Sequence, residues 1–73
     1  MTKEDKEILT WYFYGFNDSL KGSKNRESDT EINNAAYKVG FMHARLGDDM
    51  PTIDYMTDEE TLKIIKNEYG KNI

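Results

Sequence analysis

Four side chains of this 73-residue chain belong to types that bind phosphorylated ligands or transfer protons. His43 is the single histidine, and an imidazole titrates close to neutral pH. Arg45 lies two positions later, and a guanidinium group binds phosphate through paired hydrogen bonds. Tyr12 and Tyr37 offer aromatic rings for stacking on a base. These four residues form the candidate ligand set that the sequence predicts for a small phosphorylated molecule.

Catalysis by His43 would require a second group within hydrogen-bond reach, and Asp18 and Asp48 are the nearest candidate carboxylates. The interpretation that we favour is a core histidine that is satisfied by one hydrogen bond. The chain has no cysteine, no phosphate loop and no nucleophile elbow. We therefore expect a non-enzymatic protein without a metal site or a cofactor.

Acidic residues are concentrated in the last third of the chain. Residues 48–73 contain seven carboxylates and three lysines, and the whole chain carries a net charge of −4. The acids do not have the spacing of a calcium-binding loop. They are either a solvated face or a surface that meets a basic protein, and the absence of a basic stripe argues against direct binding of nucleic acid. The acids assigned to this partner surface are Asp48, Asp49, Asp54, Asp58 and Glu59.

Two large aromatic residues of the first predicted helix extend this partner surface. At 100° per residue, Trp11 and Tyr14 fall on the same side as Asp18, opposite the apolar residues. Such rings are covered by the loop 50–56, by a second copy of the chain or by a foreign partner. We assign Trp11, Tyr14 and Asp18 to partner binding. The buried arc of the helix is predicted to contain Ile8, Leu9, Tyr12, Phe13, Phe16 and Leu20.

Capping signals predict three helices in one domain that spans residues 1–73. Thr2 and Gly22 bound the first helix at about residues 3–21. The capping box Ser28-x-x-Glu31 opens the second at about residues 29–46, and Thr57-x-x-Glu60 opens the third at about residues 57–69. No strand signal is found, and no segment has the roughly 18 apolar residues of a membrane span.

A repeated pattern predicts how the first two helices meet. Tyr12-x-x-Gly15-Phe16 recurs as Tyr37-x-x-Gly40-Phe41, although an interior glycine costs a helix about 0.5–1 kcal/mol relative to alanine. Small residues recur four positions later, at Ser19 and Ala44, on the same helix face. Two such faces allow close approach of two backbones. We therefore predict an all-α, three-helix domain: an antiparallel αα-hairpin with a close glycine seam and a third helix packed across it. The alternative is a seam that opens a slot for a ligand.

The segment Ala35-Ala36-Tyr37-x-x-Gly40-Phe41-x-x-x-x-Leu46-Gly47, with its earlier echo, resembles a pattern in small accessory proteins of bacteriophages and other mobile elements. The resemblance covers about half of the chain and assigns no functional residues. It implies compact, non-enzymatic proteins that inhibit a host factor or sequester an immune signal.

These observations favour a small inhibitor that binds a host protein, such as a nucleic-acid-binding or defence protein, through its acidic face and exposed aromatic residues. One alternative is an oligomeric sponge that sequesters a nucleotide immune signal, and another is a structural homo-oligomer. We expect self-association because so short a chain is marginally stable alone. The charged N-terminus lacks the apolar segment of a signal peptide, so we expect a cytoplasmic location, in the host if a phage encodes the chain.

Overall fold

The computed structural model describes residues 2–24, 26–46 and 57–71, and these residues form three helices and no strand. They are α1 (Lys3–Lys21), α2 (Glu31–Leu46) and α3 (Asp58–Lys71). Helix α1 packs along α2, and α3 packs across this hairpin, mainly against α2. The predicted all-α architecture is confirmed. The acids Asp48, Asp49 and Asp54 and the predicted loop 50–56 lie outside the described residues.

Helix α1 has the bounds that its capping residues predict. The Thr2 hydroxyl accepts a hydrogen bond from the backbone N–H of Asp5 at 3.1 Å, which satisfies one of the free donors of the first turn. At the other end, Gly22 adopts a left-handed conformation with φ of 74°. Its N–H group bonds back to the carbonyl of Ser19, and a residue with a Cβ would be strained there.

Helix α2 begins two residues later than predicted, and the predicted capping box of Ser28 and Glu31 is wrong. The carbonyl of Thr30 accepts the first helical hydrogen bonds, from the N–H groups of Asn33 and Asn34. The Asn34 side chain accepts from the N–H of Ser28 at 2.7 Å and donates to its carbonyl at 2.9 Å. This contact holds Ser28 in a turn outside the helix, so Glu31 becomes the first helical residue.

Helix α3 opens at the predicted N-cap, Thr57, with one half of the predicted capping box. The N–H of Glu60 donates to the Thr57 hydroxyl, and that hydroxyl donates to the Glu60 carboxylate, both at 3.1 Å. The helix continues through Gly70 to Lys71, two residues beyond the predicted end. An ion pair of 3.1 Å between Lys66 and Asp5 joins α3 to the first turn of α1.

The glycine seam is present, and its contacts are reciprocal. A Cβ added to Gly15 would collide with the backbone carbonyl oxygen of Tyr37 and lie 2.8 Å from its carbon. A Cβ added to Gly40 would collide with the carbonyl oxygen of Tyr12 and lie 2.9 Å from its carbon. Each glycine therefore packs against the tyrosine backbone of the other copy of the repeat, as expected across an approximate two-fold axis.

The hydrophobic core lies between this hairpin and α3. Ile65 is fully buried in α3, and the aromatic side chains of Trp11 and Phe16 pack against the edge of the core. Its apolar members are contributed by all three helices: Ile8, Leu9, Tyr12, Ala36, Val39, Leu62 and Ile65.

The predicted buried arc of α1 is wrong at three positions. Phe13 and Leu20 are 53% and 68% exposed, whereas Asp18, which was expected on the outer face, is only 3% exposed. The reason is that the backbones approach most closely at Gly15, which centres the buried arc there. At 100° per residue, Phe13 and Leu20 lie about 160° and about 140° from Gly15, but Asp18 lies only about 60° from it.

Candidate functional site

In each copy of the repeat, the tyrosine hydroxyl forms a hydrogen bond with a side chain of the other helix. The Tyr12 hydroxyl lies 2.9 Å from Nδ1 of His43, and the Tyr37 hydroxyl donates to the Asp18 carboxylate at 2.5 Å. Asp18 and His43 each lie six residues after the tyrosine of their own copy, so they occupy equivalent positions. The hairpin therefore carries two related tyrosine sites, one with an acid and one with an imidazole.

The site around Asp18 is a network of five side chains, here called the Asp18 cluster: Trp11, Tyr14, Asp18, Arg26 and Tyr37. The buried Asp18 carboxylate also accepts from Nε of Arg26 at 3.2 Å. The Arg26 guanidinium lies 4.4 Å from the centre of the Tyr14 ring. Trp11 packs edge-on against both tyrosine rings, at 5.3 Å from Tyr14 and 6.3 Å from Tyr37. The buried Asp18 carboxylate therefore has two hydrogen-bond donors, and three aromatic rings surround this contact.

This cluster corrects the predicted surface of α1. Trp11 and Tyr14 are half-buried and contact each other, Arg26 and Tyr37 rather than standing free for a partner. The buried Asp18 carboxylate is directed to Tyr37 and Arg26. The helical periodicity of α1 correctly predicts that Asp18 lies on the same side as Trp11 and Tyr14. This side of the helix is covered by α2 and by the segment that contains Arg26.

A cavity of about 520 Å³ lies beside the Asp18 cluster. It combines three basic side chains with one acid, one amide and the buried Tyr37 ring. Among the described residues it is lined by Lys24, Arg26, Glu27, Asn34, Tyr37 and Lys38. The sequence prediction missed Lys24, Arg26 and Lys38, because two lie in the segment before α2 and no spacing rule pairs them with a helix residue. A signal that could have pointed to this place is the change within the repeat from Phe13 to Lys38 at equivalent positions.

The site around His43 is apolar by comparison. Burial lowers the pKa of the His43 imidazole below its ordinary value of 6.5, so the ring is neutral at pH 7. Its ring packs edge-on against Tyr12 at 5.6 Å, and the ring of Phe13 packs edge-on against the same tyrosine at 5.5 Å. Asp18 bonds to Tyr37 instead of His43. Asp48, the other candidate carboxylate, lies outside the described residues.

The predicted ligand set is therefore divided among three places. Tyr12 and His43 contact each other, whereas Tyr37 belongs to the Asp18 cluster. Arg45 is exposed near the end of α2, where it lines a second cavity of about 290 Å³ with Met42 and Leu46. The structure does not bring these four residues together around one ligand.

Large apolar side chains on the surface are a further feature that the sequence did not predict. Leu20 and Phe13 are the most exposed of them, and all three helices contribute. Their full set among the described residues is Phe13, Leu20, Met42, Leu46 and Ile64. Of the predicted acidic surface, Asp58 and Glu59 are described, and both are exposed in the first turn of α3.

Comparison of the chain with models of protein families, with curated proteins and with solved structures found no match. Within residues 2–24, 26–46 and 57–71, no helix is both long and apolar enough to cross a membrane. The same residues contain no group of three or more histidine, aspartate or glutamate side chains suited to hold a metal ion.

Proposed function

We propose that this protein is a small, non-enzymatic binding protein that recognises another protein through the outer face of α1. The exposure of Phe13 and Leu20 carries the proposal. The two residues are seven positions apart, so they lie on one face of the helix, turned away from the seam at Gly15. Proteins that accept a helix in an apolar groove read apolar side chains at this spacing.

The surroundings of Phe13 support a role as an anchor for a partner. Its ring packs against Tyr12, which is itself buried and in contact with Phe16 and His43. An aromatic side chain that is already held in place loses little conformational freedom when a partner covers it. Single exposed apolar residues are common on protein surfaces, but two on one helix face form a surface that a groove can cover.

The charge of the protein favours a basic partner. The chain carries a net charge of −4, and the exposed Asp58 and Glu59 add to the acidity at the start of α3. Opposite net charge raises the association rate of two proteins and disfavours acidic competitors. With the resemblance to phage accessory proteins, this makes a basic host protein, such as one that binds nucleic acid or acts in defence, the partner class that we propose.

Site-specific photo-crosslinking tests the proposal. A photoreactive phenylalanine analogue replaces Phe13 in one protein and Ile64 in a matched control, because Ile64 is also apolar and partly exposed but lies on α3. After irradiation in host lysate, we expect a foreign protein to be attached at position 13 and absent at position 64. The substitution Leu20→Ser in the position-13 protein should abolish this product, since it removes the second apolar contact.

Two results would contradict the proposed function. Equal labelling at positions 13 and 64 would mean that capture is unspecific. A position-13 protein that crosslinks only to another copy of itself would instead support a structural homo-oligomer. Circular dichroism of each variant shows whether the helical fold is retained.

A further inference from the structure

The cavity beside the Asp18 cluster concentrates positive charge in an acidic protein. Three of the ten basic residues of the chain, Lys24, Arg26 and Lys38, line it, whereas the net charge of the chain is −4. Its volume of about 520 Å³ lies in the range of about 300–1,000 Å³ that is usual for small-molecule sites. Size and charge together suit an anion larger than a simple ion.

Arg26 is held in position by groups that do not line the cavity. The buried Asp18 carboxylate bonds to its Nε atom at 3.2 Å, and the Tyr14 ring lies against its guanidinium at 4.4 Å. The Arg26 side chain is nevertheless 40% exposed. Asp18 thus contacts the guanidinium group through its Nε atom. The terminal amino groups of an arginine can still bind phosphate through bidentate hydrogen bonds.

Burial of a carboxylate in a domain this small needs a physical reason. The charge of Asp18 loses its hydration, and a well-packed apolar pair is often as stable as a buried ion pair, or more so. The contacts of Asp18 with the Tyr37 hydroxyl and with Nε of Arg26 offset part of this cost. The contact with Asp18 also fixes the position of Arg26 at the cavity.

The other copy of the repeat lacks this arrangement. The residue equivalent to Lys38 is Phe13, and the residue equivalent to Asp18 is His43. The contacts of the seam are alike in the two copies, so the hairpin does not require a cation at position 38 for its packing. Of the two residues that distinguish the copies, Lys38 lines the cavity, and Asp18 bonds to Arg26, which also lines it.

From this arrangement we infer that the cavity binds a small phosphorylated sugar compound, either a sugar phosphate or a nucleotide. Arg26 grips the phosphate through its free edge, and Lys24 and Lys38 neutralise the remaining negative charge. Glu27 lies in the same cavity and accepts hydrogen bonds from sugar hydroxyls, as acidic residues do for ribose in nucleotide sites. The Tyr37 hydroxyl donates to Asp18, so it stabilises the carboxylate that holds Arg26 in position.

Titration of the full chain followed by ¹H–¹⁵N correlation spectra tests this inference. The probes are AMP, ribose 5-phosphate and inorganic phosphate, with adenosine as the uncharged control. We expect saturable shifts of the Lys24, Arg26 and Lys38 amide signals with both sugar phosphates, weaker shifts with inorganic phosphate and none with adenosine. Binding should weaken as the salt concentration rises. A nucleotide site is distinguished from a sugar phosphate site by tighter binding of AMP than of ribose 5-phosphate.

Charge variants make the test specific for the cavity. Lys38→Gln should weaken binding of AMP about fivefold, the loss expected for one partly exposed charge pair. Lys63→Gln removes an exposed lysine of α3 and should leave binding unchanged. Arg26→Lys keeps the charge next to Asp18 but loses the guanidinium fork, and we expect a loss of about tenfold. If Arg26→Lys disturbs the helical spectrum, Lys24→Gln replaces it.

Several outcomes would overturn the inference. These are the absence of saturable shifts with either sugar phosphate, equal binding of adenosine and AMP, and unchanged affinity in Lys38→Gln. Binding of single-stranded RNA without binding of AMP would also overturn it, in favour of a polyanion surface. The paired variant Phe13→Ser, Leu20→Ser should bind AMP normally, which separates this site from the proposed protein-binding face.

Discussion

The hydroxyl groups of Tyr12 and Tyr37 occupy equivalent positions but serve different chemistry. Tyr37 donates to a buried carboxylate that also holds Arg26, whereas Tyr12 bonds to a neutral imidazole. Substitution at one equivalent position, aspartate against histidine, thus makes one end of the hairpin ionic and leaves the other apolar. This difference is one reason why we assign anion binding to the cavity beside the Asp18 cluster. We assign protein binding to the exposed apolar residues Phe13 and Leu20.

Acidification should destabilise the fold through His43. Burial lowers the pKa of its imidazole in the folded protein below the ordinary value of 6.5, so the unfolded chain takes up the proton first as the pH falls. The stability is complete above the unfolded pKa and is lost progressively below it. We expect the melting temperature of the wild type to fall between about pH 7 and about pH 5.5, before most carboxylates titrate.

The substitution His43→Gln is the matched control for this effect, because glutamine can still bond to Tyr12 but does not titrate. Its melting temperature should change less over the same pH interval. Identical pH dependence of the two proteins would show that the imidazole contributes nothing to the loss. Thermal melts followed by circular dichroism at the two pH values make the comparison.

At the scale of single residues, the sequence predicted His43 more accurately than Asp18. His43 makes the predicted hydrogen bond, to Tyr12, although it is half-buried rather than a core residue. The helical periodicity predicts Asp18 on the side of α1 opposite the apolar residues. Its burial depends on Arg26, which approaches from a different segment, and the helical periodicity of α1 contains no information about that contact.

At the scale of the helices, we expect glycine-to-alanine substitutions in the seam to have the opposite effect from the one that helix propensity predicts. Alanine is favoured over glycine in an isolated helix by about 0.5–1 kcal/mol. Gly15→Ala and Gly40→Ala should nevertheless destabilise the protein, by about 1–3 kcal/mol, because each new Cβ collides with backbone that cannot move aside. Urea denaturation measures the change in the free energy of unfolding.

Gly70→Ala provides the control within the same protein. Gly70 lies in the last turn of α3 with open space around its missing Cβ, so alanine should stabilise there slightly, by up to about 0.5 kcal/mol. The opposite signs of the effects at Gly15 and Gly70 are the expected result. Stabilisation by alanine at Gly15 or Gly40 would mean that the two helices do not meet through the seam.

The helices themselves were largely predictable, because their signals are local. The Thr2 cap, the C-terminal Gly22 and the Thr57 cap are read from adjacent residues, and all three are present. The predicted start of α2 was wrong because the side chain of Asn34 forms hydrogen bonds with the backbone of Ser28, six positions away. Which side of α1 is buried also depended on the closest point of the seam, a property of two helices together.

At the scale of the whole molecule, the hairpin and α3 depend on each other. The seam brings glycines against tyrosine backbone. Leu62 and Ile65 of α3 belong to the same buried apolar cluster as five residues of the hairpin. Helix α3 therefore adds hydrophobic stabilisation to the hairpin, and both candidate sites depend on it through the geometry of the hairpin.

Neighbouring isoleucines of α3 test this dependence. Ile65 is fully buried, and Ile65→Ala should leave a cavity that costs about 2–5 kcal/mol. A chain of this size has only about 3–5 kcal/mol of net stability, so we expect this variant to lose all three helices together. Ile64 is 38% exposed, and Ile64→Ala should retain the fold with a small loss of stability. The ellipticity at 222 nm as a function of urea distinguishes them. A partial loss of ellipticity in Ile65→Ala, of the size expected for the 14 residues of α3, would show that the hairpin is stable without the third helix.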